Sequence, residues 1–366
     1  MSSVWKKNIL FFGLILLFFI AWAVFTNATA SIKSLKLEFA LLAVLFFMAS
    51  VFAWVFSWAL FVKKQVKASF PSLFLVGFAS LMGSITPIQS GSDALRSFFL
   101  KKHFGLSVSS SLQSSFIVKG LKFSMIFLSS ALLVVFFVAG FVLSRQWFSV
   151  AEYFAALVYF VQYLEAQEHI LLLFFFLSGL FVVFCGSVLF LLPLQKGFSS
   201  RAAGFFSRFE KTHSIFSKLK VFFEKYPSFL AGTTFNEVVF VAGLTFFSLL
   251  CEFLAMVFSF LSVGAGLSLA SLFVFFILFS ILERTPVLPR GVGVAEVTGY
   301  YFLSFPFFSS ADLSGERVGA MLLVYGVVRL VIPTIVGFVS WGFMSSKFSG
   351  EKQKEKKITP AHKSKK

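Results

Sequence analysis

Six long apolar runs determine what this chain can fold into. A helix needs about 20 apolar residues to cross the hydrocarbon core of a bilayer, and each run is close to that length or longer. The runs are Asn8–Phe25, Phe39–Val62, Gly120–Leu143, Ile170–Leu192, Phe235–Val263 and Val318–Met344. Charged residues make up only 13% of the chain, whereas a soluble domain has roughly 25%. The sequence therefore predicts an all-α polytopic membrane protein.

Two shorter apolar runs, Phe70–Ile85 and Ser268–Leu282, are followed by polar interruptions that resemble each other. Each interruption contains a proline, then glycine, then a carboxylate. They read Thr86-Pro87-Ile88-Gln89-Ser90-Gly91-Ser92-Asp93 and Leu288-Pro289-Arg290-Gly291-Val292-Gly293-Val294-Ala295-Glu296. Proline removes a backbone donor and glycine tolerates unusual dihedral angles, so both runs should be broken helices. Paired breaks in two halves of a chain are typical of a transporter's binding site.

Positive charges assign the sides of the membrane, because cytoplasmic loops carry an excess of lysine and arginine. Arg96, Lys101 and Lys102 remain on the cytoplasmic side only if the run before them enters the membrane and returns. The same reasoning makes 268–296 a re-entrant element from the outside. We expect six full spans plus two re-entrant broken helices, with both termini cytoplasmic and the plasma membrane as the simplest location. Eight plain spans are the alternative.

The spans fall into two halves of the same order: span, span, hairpin, span. The first half covers about 8–144 and starts inside, and the second covers about 170–345 and starts outside. This predicts an inverted repeat, an architecture that recurs among transporters. The membrane domain, 1–346, includes a basic amphipathic segment at 196–226 that links the halves. The lysine-rich tail, 347–366, should be disordered.

Ionisable side chains inside the apolar segments are candidate binding residues, since each costs about 2.5–3.5 kcal/mol at the bilayer centre. An arginine fork and a glycine-rich helix start both suit a phosphate, so a polar cavity for a lipid headgroup is one interpretation. Buried structural ion pairs are the other, and Lys119 and Lys122 could equally snorkel from the start of a span. The candidate substrate-binding residues are Thr86, Pro87, Gly91, Asp93, Arg96, Glu252, Glu283, Arg284, Pro289, Arg290, Gly291, Gly293, Glu296 and Arg329.

Other chemistry has little support in the sequence. The four histidines are scattered, and the sequence contains no HExxH, GxxxxGK[ST] or GxSxG motif, so we predict no catalytic residue, metal or cofactor. The net charge of +17 fits topology and attraction to anionic lipid better than nucleic acid. The expected partners are membrane lipids, with anionic headgroups favoured, and a homo-oligomer is compatible with the sequence.

The two interruptions resemble sequence blocks of a known family. Thr86-Pro87, Gly91 and Asp93-Ala94-Leu95-Arg96 resemble its Thr-Pro…Gly-Glu…Arg block, and the second interruption resembles its Pro-Gly-Gly-hydrophobic-Gly-hydrophobic-x-Glu block. The family is the lysylphosphatidylglycerol synthase transmembrane region, a flippase-like domain, and the resemblance runs from the first span to Met344. Arg290 replaces a frequent glycine and Asp93 a usual glutamate. In the aminoacyl-lipid synthases a soluble transferase domain follows, and we expect this chain to lack that activity.

The resemblance implies lipid translocation, which is the leading hypothesis. In it Arg290 and Arg329 would bind phosphate, and Glu252, Glu283 and Glu296 would set the polarity of the cavity. With no nucleotide motif, movement would be downhill or driven by a gradient. The alternatives are a secondary transporter of a small polar solute or ion, a membrane enzyme acting on lipid-linked substrates, and an accessory subunit without cargo.

Overall fold

The computed structural model describes residues 2–85, 91–144, 170–191, 198–209, 217, 220–221, 223–224, 233–284, 292–303 and 313–358. All regular secondary structure in these residues is helical. The elements in chain order are α1 (Ser2–Phe25), α2 (Thr29–Lys33), α3 (Leu37–Lys63), α4 (Phe70–Ala79), a 3-10 turn (Ser80–Ile85), α5 (Gly91–Phe104), α6 (Val108–Ser144), α7 (Ile170–Leu191), α8 (Phe198–Arg208), α9 (Phe235–Ser262), α10 (Leu269–Leu282), α11 (Val294–Leu303), α12 (Gly315–Gly326), a π-helical turn (Val327–Val331) and α13 (Ile332–Ile358).

Every predicted span coincides with a helix, which confirms an all-α polytopic membrane protein. Within the described residues, four segments are long and apolar enough to cross a membrane: Leu37–Lys63, Val108–Leu132, Phe235–Ser262 and Gly315–Phe348. Shorter apolar helices cover Ile9–Phe25, Phe70–Ser84, Leu177–Val188 and Ser271–Leu282. The re-entrant course of α4 and α10, and the opposite orientation of the two halves, stay predictions.

Local signals set where several helices begin. Thr234 caps α9: its hydroxyl accepts from the backbone N–H of Glu237, and the Glu237 carboxylate accepts from the backbone N–H of Thr234 at 2.8 Å. Such a capping box satisfies two backbone donors that the helix itself leaves free. Ser268 and Ser314 cap α10 and α12 with the hydroxyl alone, which accepts from the backbone N–H three residues further along. Proline within the first turn of α4 is tolerated because its missing N–H would have no partner there.

The centre of the molecule is the contact between α3 and α9, the helices with the most extensive mutual packing. Small polar residues meet there, with the hydroxyls of Ser50 and Ser248 2.8 Å apart. The last span of each half packs against the broken helix of the other half: α13 against α4 and its 3-10 turn, and α6 against α10. A Cβ at Gly337 of α13 would overlap the backbone nitrogen of Met82, so glycine permits this close approach.

The last span differs from its prediction in two ways. Its α-helical bonding is interrupted by a π-helical turn at Val327–Val331, a rare geometry that is frequent at functional sites. Its second part, α13, continues to Ile358. The disorder of the lysine-rich tail, 347–366, stays a prediction, and 359–366 lie outside the described residues. The predicted amphipathic segment begins as a helix, α8, on which Phe205 is exposed.

Candidate functional site

One buried group of charges lies at the start of α5, directly after the first polar interruption. Asp93 and Arg96 are one helical turn apart, with 4% and 0% of their surface exposed. Arg96 Nη1 donates to Asp93 Oδ1 at 3.4 Å, and the Lys119 ammonium from α6 donates to Asp93 Oδ2. We call Asp93, Arg96 and Lys119 the Arg96 cluster. It contains two cations and one carboxylate.

Arg96 has an unusual environment for a buried guanidinium. Its carbon Cζ lies 4.3 Å and 4.7 Å from the ring centroids of Trp54 and Trp58 on α3. Its Nε donates to the Ser80 hydroxyl at 3.3 Å, and Nη1 also donates to the Ser115 hydroxyl at 3.2 Å. Its Nη2 has no hydrogen-bond partner among the described residues. A buried donor left unpaired costs about 1–3 kcal/mol, so the Nη2 group of Arg96 could donate a hydrogen bond to a ligand.

A glycine contact positions the start of α5. A Cβ added at Gly83, in the 3-10 turn, would lie 2.6 Å from the carbonyl oxygen of Gly91. The atom it would meet belongs to the backbone and not to a flexible side chain. The overlap could therefore be relieved only by a shift of the start of α5. Gly83 therefore fixes where α5 begins, and with it the positions of Asp93 and Arg96.

Replacing Gly83 with alanine should destabilise the protein by about 1–3 kcal/mol, the usual range for overpacking. The measurement is the apparent Tm of the purified variant in detergent. Gly243→Ala is the matched control, because a Cβ on this helical glycine would have no neighbouring atom within 4 Å. An equal Tm for Gly83→Ala and wild type would contradict the importance of this contact.

A second group of charges surrounds Arg329 in the π-helical turn. Arg329 Nη1 donates to Glu283 Oε1 and its Nη2 donates to Glu296 Oε1, both at 2.6 Å. Glu283 is the C-cap of α10 and Glu296 lies in the first turn of α11. Arg329 therefore connects the end of α10 to the first turn of α11. Glu296 Oε2 also accepts from the backbone N–H of Gly293 at 2.7 Å, and Gly293 has a φ of +83°, which favours glycine.

Three further charges join this group. Lys122 of α6 donates to Glu252 of α9 at 2.5 Å, and the Ser50 hydroxyl donates to the same carboxylate at 3.2 Å. Arg284 lies 3.9 Å from Glu283. We call Lys122, Glu252, Glu283, Arg284, Glu296 and Arg329 the Arg329 cluster. It contains three cations and three carboxylates, so it is balanced in charge, as buried ion pairs require.

One turn of α6 connects the two clusters. Lys119 belongs to the first and Lys122 to the second, and residues three apart are neighbours on a helix face. The structure places both lysines well inside α6, which begins at Val108 rather than at the predicted start of the span. The Lys122 side chain is only 11% exposed and is paired, so Lys122 is not a snorkelling residue.

Of the nine predicted site residues that the structure describes, seven lie in these two clusters. Asp93 and Arg96 lie in the first, with Gly91 as the first residue of α5. Five others lie in the second: Glu252, Glu283, Arg284, Glu296 and Arg329. Thr86, Pro87, Pro289, Arg290 and Gly291 lie outside the described residues. Within the described part of the chain, no group of three or more His, Cys, Asp or Glu side chains could hold a metal ion.

The uncharged residues that hold the first cluster in place were not predicted. Ser80, Ser115, Trp54 and Trp58 belong to three different helical elements, and no pattern in the sequence connects them. Lys119 and Lys122 were also absent from the predicted site residues. The signal that could have found them is their spacing, which puts two lysines on one face of α6.

Comparison with known proteins gives one family. The family model described as "Lysylphosphatidylglycerol synthase TM region" matches residues 8–337, which include all of both clusters. No curated protein and no solved structure matched the chain.

Proposed function

This chain belongs to the family of the lysylphosphatidylglycerol synthase TM region, and we propose that it moves a membrane lipid from one leaflet to the other. The observation that supports this most is the pair of charged clusters inside the helical bundle, linked through Lys119 and Lys122 on one turn of α6. Ionisable groups within membrane spans are costly, and they commonly mark a substrate pathway. A linked series of such groups offers a polar route for a headgroup.

The ion pairs suggest how the route opens. Arg329 holds the end of α10 to the start of α11, and the pair of Lys122 and Glu252 holds α6 to α9. The planar fork of arginine recognises carboxylate and phosphate equally well. A headgroup that carries a phosphate would therefore replace the internal carboxylates in turn, and each cation would keep a partner throughout. The two interruptions supply the breaks about which the halves would move.

The movement would run downhill or follow an ion gradient, and the chain would act by transport rather than catalysis. The absence of a GxxxxGK[ST] motif from the sequence supports movement without ATP. Exchange of ion pairs needs no chemical step, since every bond that breaks is electrostatic.

The test is lipid crossing in liposomes that contain the purified protein. Tail-labelled fluorescent phospholipids with anionic, zwitterionic and cationic headgroups are compared, and a membrane-impermeant quencher reports which leaflet each one occupies. We expect crossing that depends on the headgroup. Absence of crossing for all three headgroups, in sealed vesicles with folded protein, would contradict the proposal.

Glu296→Gln should reduce the rate of crossing by about tenfold or more, equivalent to at least ~1.4 kcal/mol in the barrier. Glutamine keeps the size of the side chain but removes the charge that balances Arg329 as the partners exchange. Glu316→Gln is the matched control, because Glu316 is exposed in the first turn of α12. Equal rates for wild type and Glu296→Gln would indicate that Glu296 has only a structural role.

A further inference from the structure

The two clusters differ in charge balance, and the difference points to the sign of the ligand. The Arg329 cluster pairs three cations with three carboxylates, and Arg329 itself already binds two of them. Among the described residues, the Arg96 cluster has one cation more than it has carboxylates. An uncompensated cation in a low-dielectric interior is unfavourable, so a bound anion would balance the charge of this cluster, whereas the Arg329 cluster is already balanced.

Asp93 shows that the Arg96 cluster already accommodates one oxyanion. One of its carboxylate oxygens accepts from Lys119 and the other accepts from Arg96. A phosphate presents oxygens at a similar spacing and accepts the same charge-assisted hydrogen bonds. The buried Nη2 of Arg96, without a partner among the described residues, offers a further donor. The Lys119 side chain is 31% exposed, so it is the cation that an arriving anion meets first.

A cleft beside the cluster gives a route from the lipid. It has a volume of about 420 Å³ and lies between α5 and α6. Its lining residues are Ala94, Ser97, Phe98, Lys101, Val108 and Leu112. Two of them, Ala94 and Ser97, directly follow Asp93 and Arg96 in the chain, so the cleft and the cluster lie on neighbouring faces of the same turn of α5.

The walls of this cleft suit a phospholipid. Phe98, Val108 and Leu112 are 48%, 42% and 38% exposed, and exposed apolar side chains between two helices suit acyl chains. Lys101 is exposed at the same cleft and suits the phosphate. The Ser97 hydroxyl donates to the Ser111 hydroxyl at 2.9 Å. This bond gives both buried hydroxyls a partner beside the apolar walls of the cleft.

We propose that an anionic phospholipid enters between α5 and α6 and that its phosphate replaces Asp93 as the partner of Lys119 and Arg96. Lys101 makes the first electrostatic contact at the cleft. This inference rests on the proposed function, for which it names the class of lipid and the half of the molecule that binds its headgroup.

Binding is measured by tryptophan fluorescence of the purified full chain in detergent, since Trp54 and Trp58 contact the Arg96 guanidinium. We expect short-chain phosphatidylglycerol to give a saturable change that phosphatidylcholine of equal chain length does not give. Lys119→Gln should raise the Kd by about tenfold. The Trp54→Phe, Trp58→Phe double variant should lose the signal. Saturation by inorganic phosphate alone would overturn the assignment to a lipid, and a Kd unchanged by Lys119→Gln would overturn the site.

Asp93→Asn distinguishes ligand binding from a structural role. If Asp93 competes with the phosphate, its neutral isostere should bind phosphatidylglycerol roughly three- to tenfold more tightly. A Kd that is unchanged or higher in a folded variant would contradict the competition. If the variant does not fold, Lys101→Gln gives the test, because Lys101 is exposed and its loss should raise the Kd roughly threefold. Lys67→Gln is its control, since Lys67 is exposed after α3 and does not line the cleft.

The phosphate site and lipid translocation can fail separately. Binding that depends on Lys119, without crossing of any lipid in liposomes, would leave the phosphate site in place and contradict translocation. In the opposite case, Glu296→Gln abolishes crossing, but the Kd for phosphatidylglycerol is unchanged by Lys101→Gln and Lys119→Gln. That result would support translocation and overturn the phosphate site.

Discussion

Replacing Arg329 with methionine should lower the free energy of unfolding by about 3–5 kcal/mol, the usual loss when one partner of a buried ion pair is removed. The reason is that two carboxylates depend on it. Glu296 is completely buried and the Glu283 side chain is 12% exposed, and both accept from Arg329. The measurement is unfolding of the purified protein in mixed micelles, with the apparent Tm as a second readout.

A double variant separates the charge of Arg329 from the shape of its π-helical turn. Arg329→Met combined with Glu296→Gln keeps Glu283 as the carboxylate beside Arg284 and leaves the cluster balanced in charge, so most of the lost stability should return. A double variant as unstable as the single one would show that the turn itself requires arginine. Arg201→Met is the surface control, because Arg201 is exposed on α8.

The sequence was sufficient for the parts of the fold that depend on local signals. The predicted span Phe235–Val263 differs by one residue from α9, Phe235–Ser262, since hydropathy sets its length and the capping box sets its start. Parts of both polar interruptions, 86–90 and 288–291, lie outside the described residues, so the two broken helices stay a prediction. Charges inside apolar runs were correctly expected to group together, since buried charges need partners.

The rest depended on contacts between distant parts of the chain. Ser50 and Glu252 form a hydrogen bond across 202 positions of sequence, and no local pattern connects them. The π-helical turn has no sequence signature of its own. The sequence does not distinguish Gly83 from the other glycines among its 24. Only the structure shows that Gly83 lies against the backbone of Gly91. The start of α6 was missed because its first turns are rich in serine, which lowers hydropathy while the helix continues.

Removing the pair of Lys122 and Glu252 should separate stability from transport. Lys122→Met alone leaves the Glu252 carboxylate with the Ser50 hydroxyl as its hydrogen-bond donor and without the cation that balances it, and we expect a loss of about 3–5 kcal/mol. Adding Glu252→Gln removes the unpaired charge and keeps an acceptor for Ser50, so stability should largely return. Transport should not return, because the partner that exchanges with the headgroup is absent. We expect crossing in liposomes to stay at least about tenfold below wild type.

The matched control is a second ion pair. Lys64 and Glu237 join the ends of α3 and α9 at 2.5 Å, the same distance as the buried pair, but their side chains are 33% and 42% exposed. An exposed pair is worth about 0–1 kcal/mol, so Lys64→Met with Glu237→Gln should change stability little and leave crossing unchanged. Glutamine at 237 also preserves the capping box. Wild-type crossing by the Lys122→Met, Glu252→Gln variant would mean that the buried pair only stabilises the bundle, and that the headgroup passes without exchanging partners there.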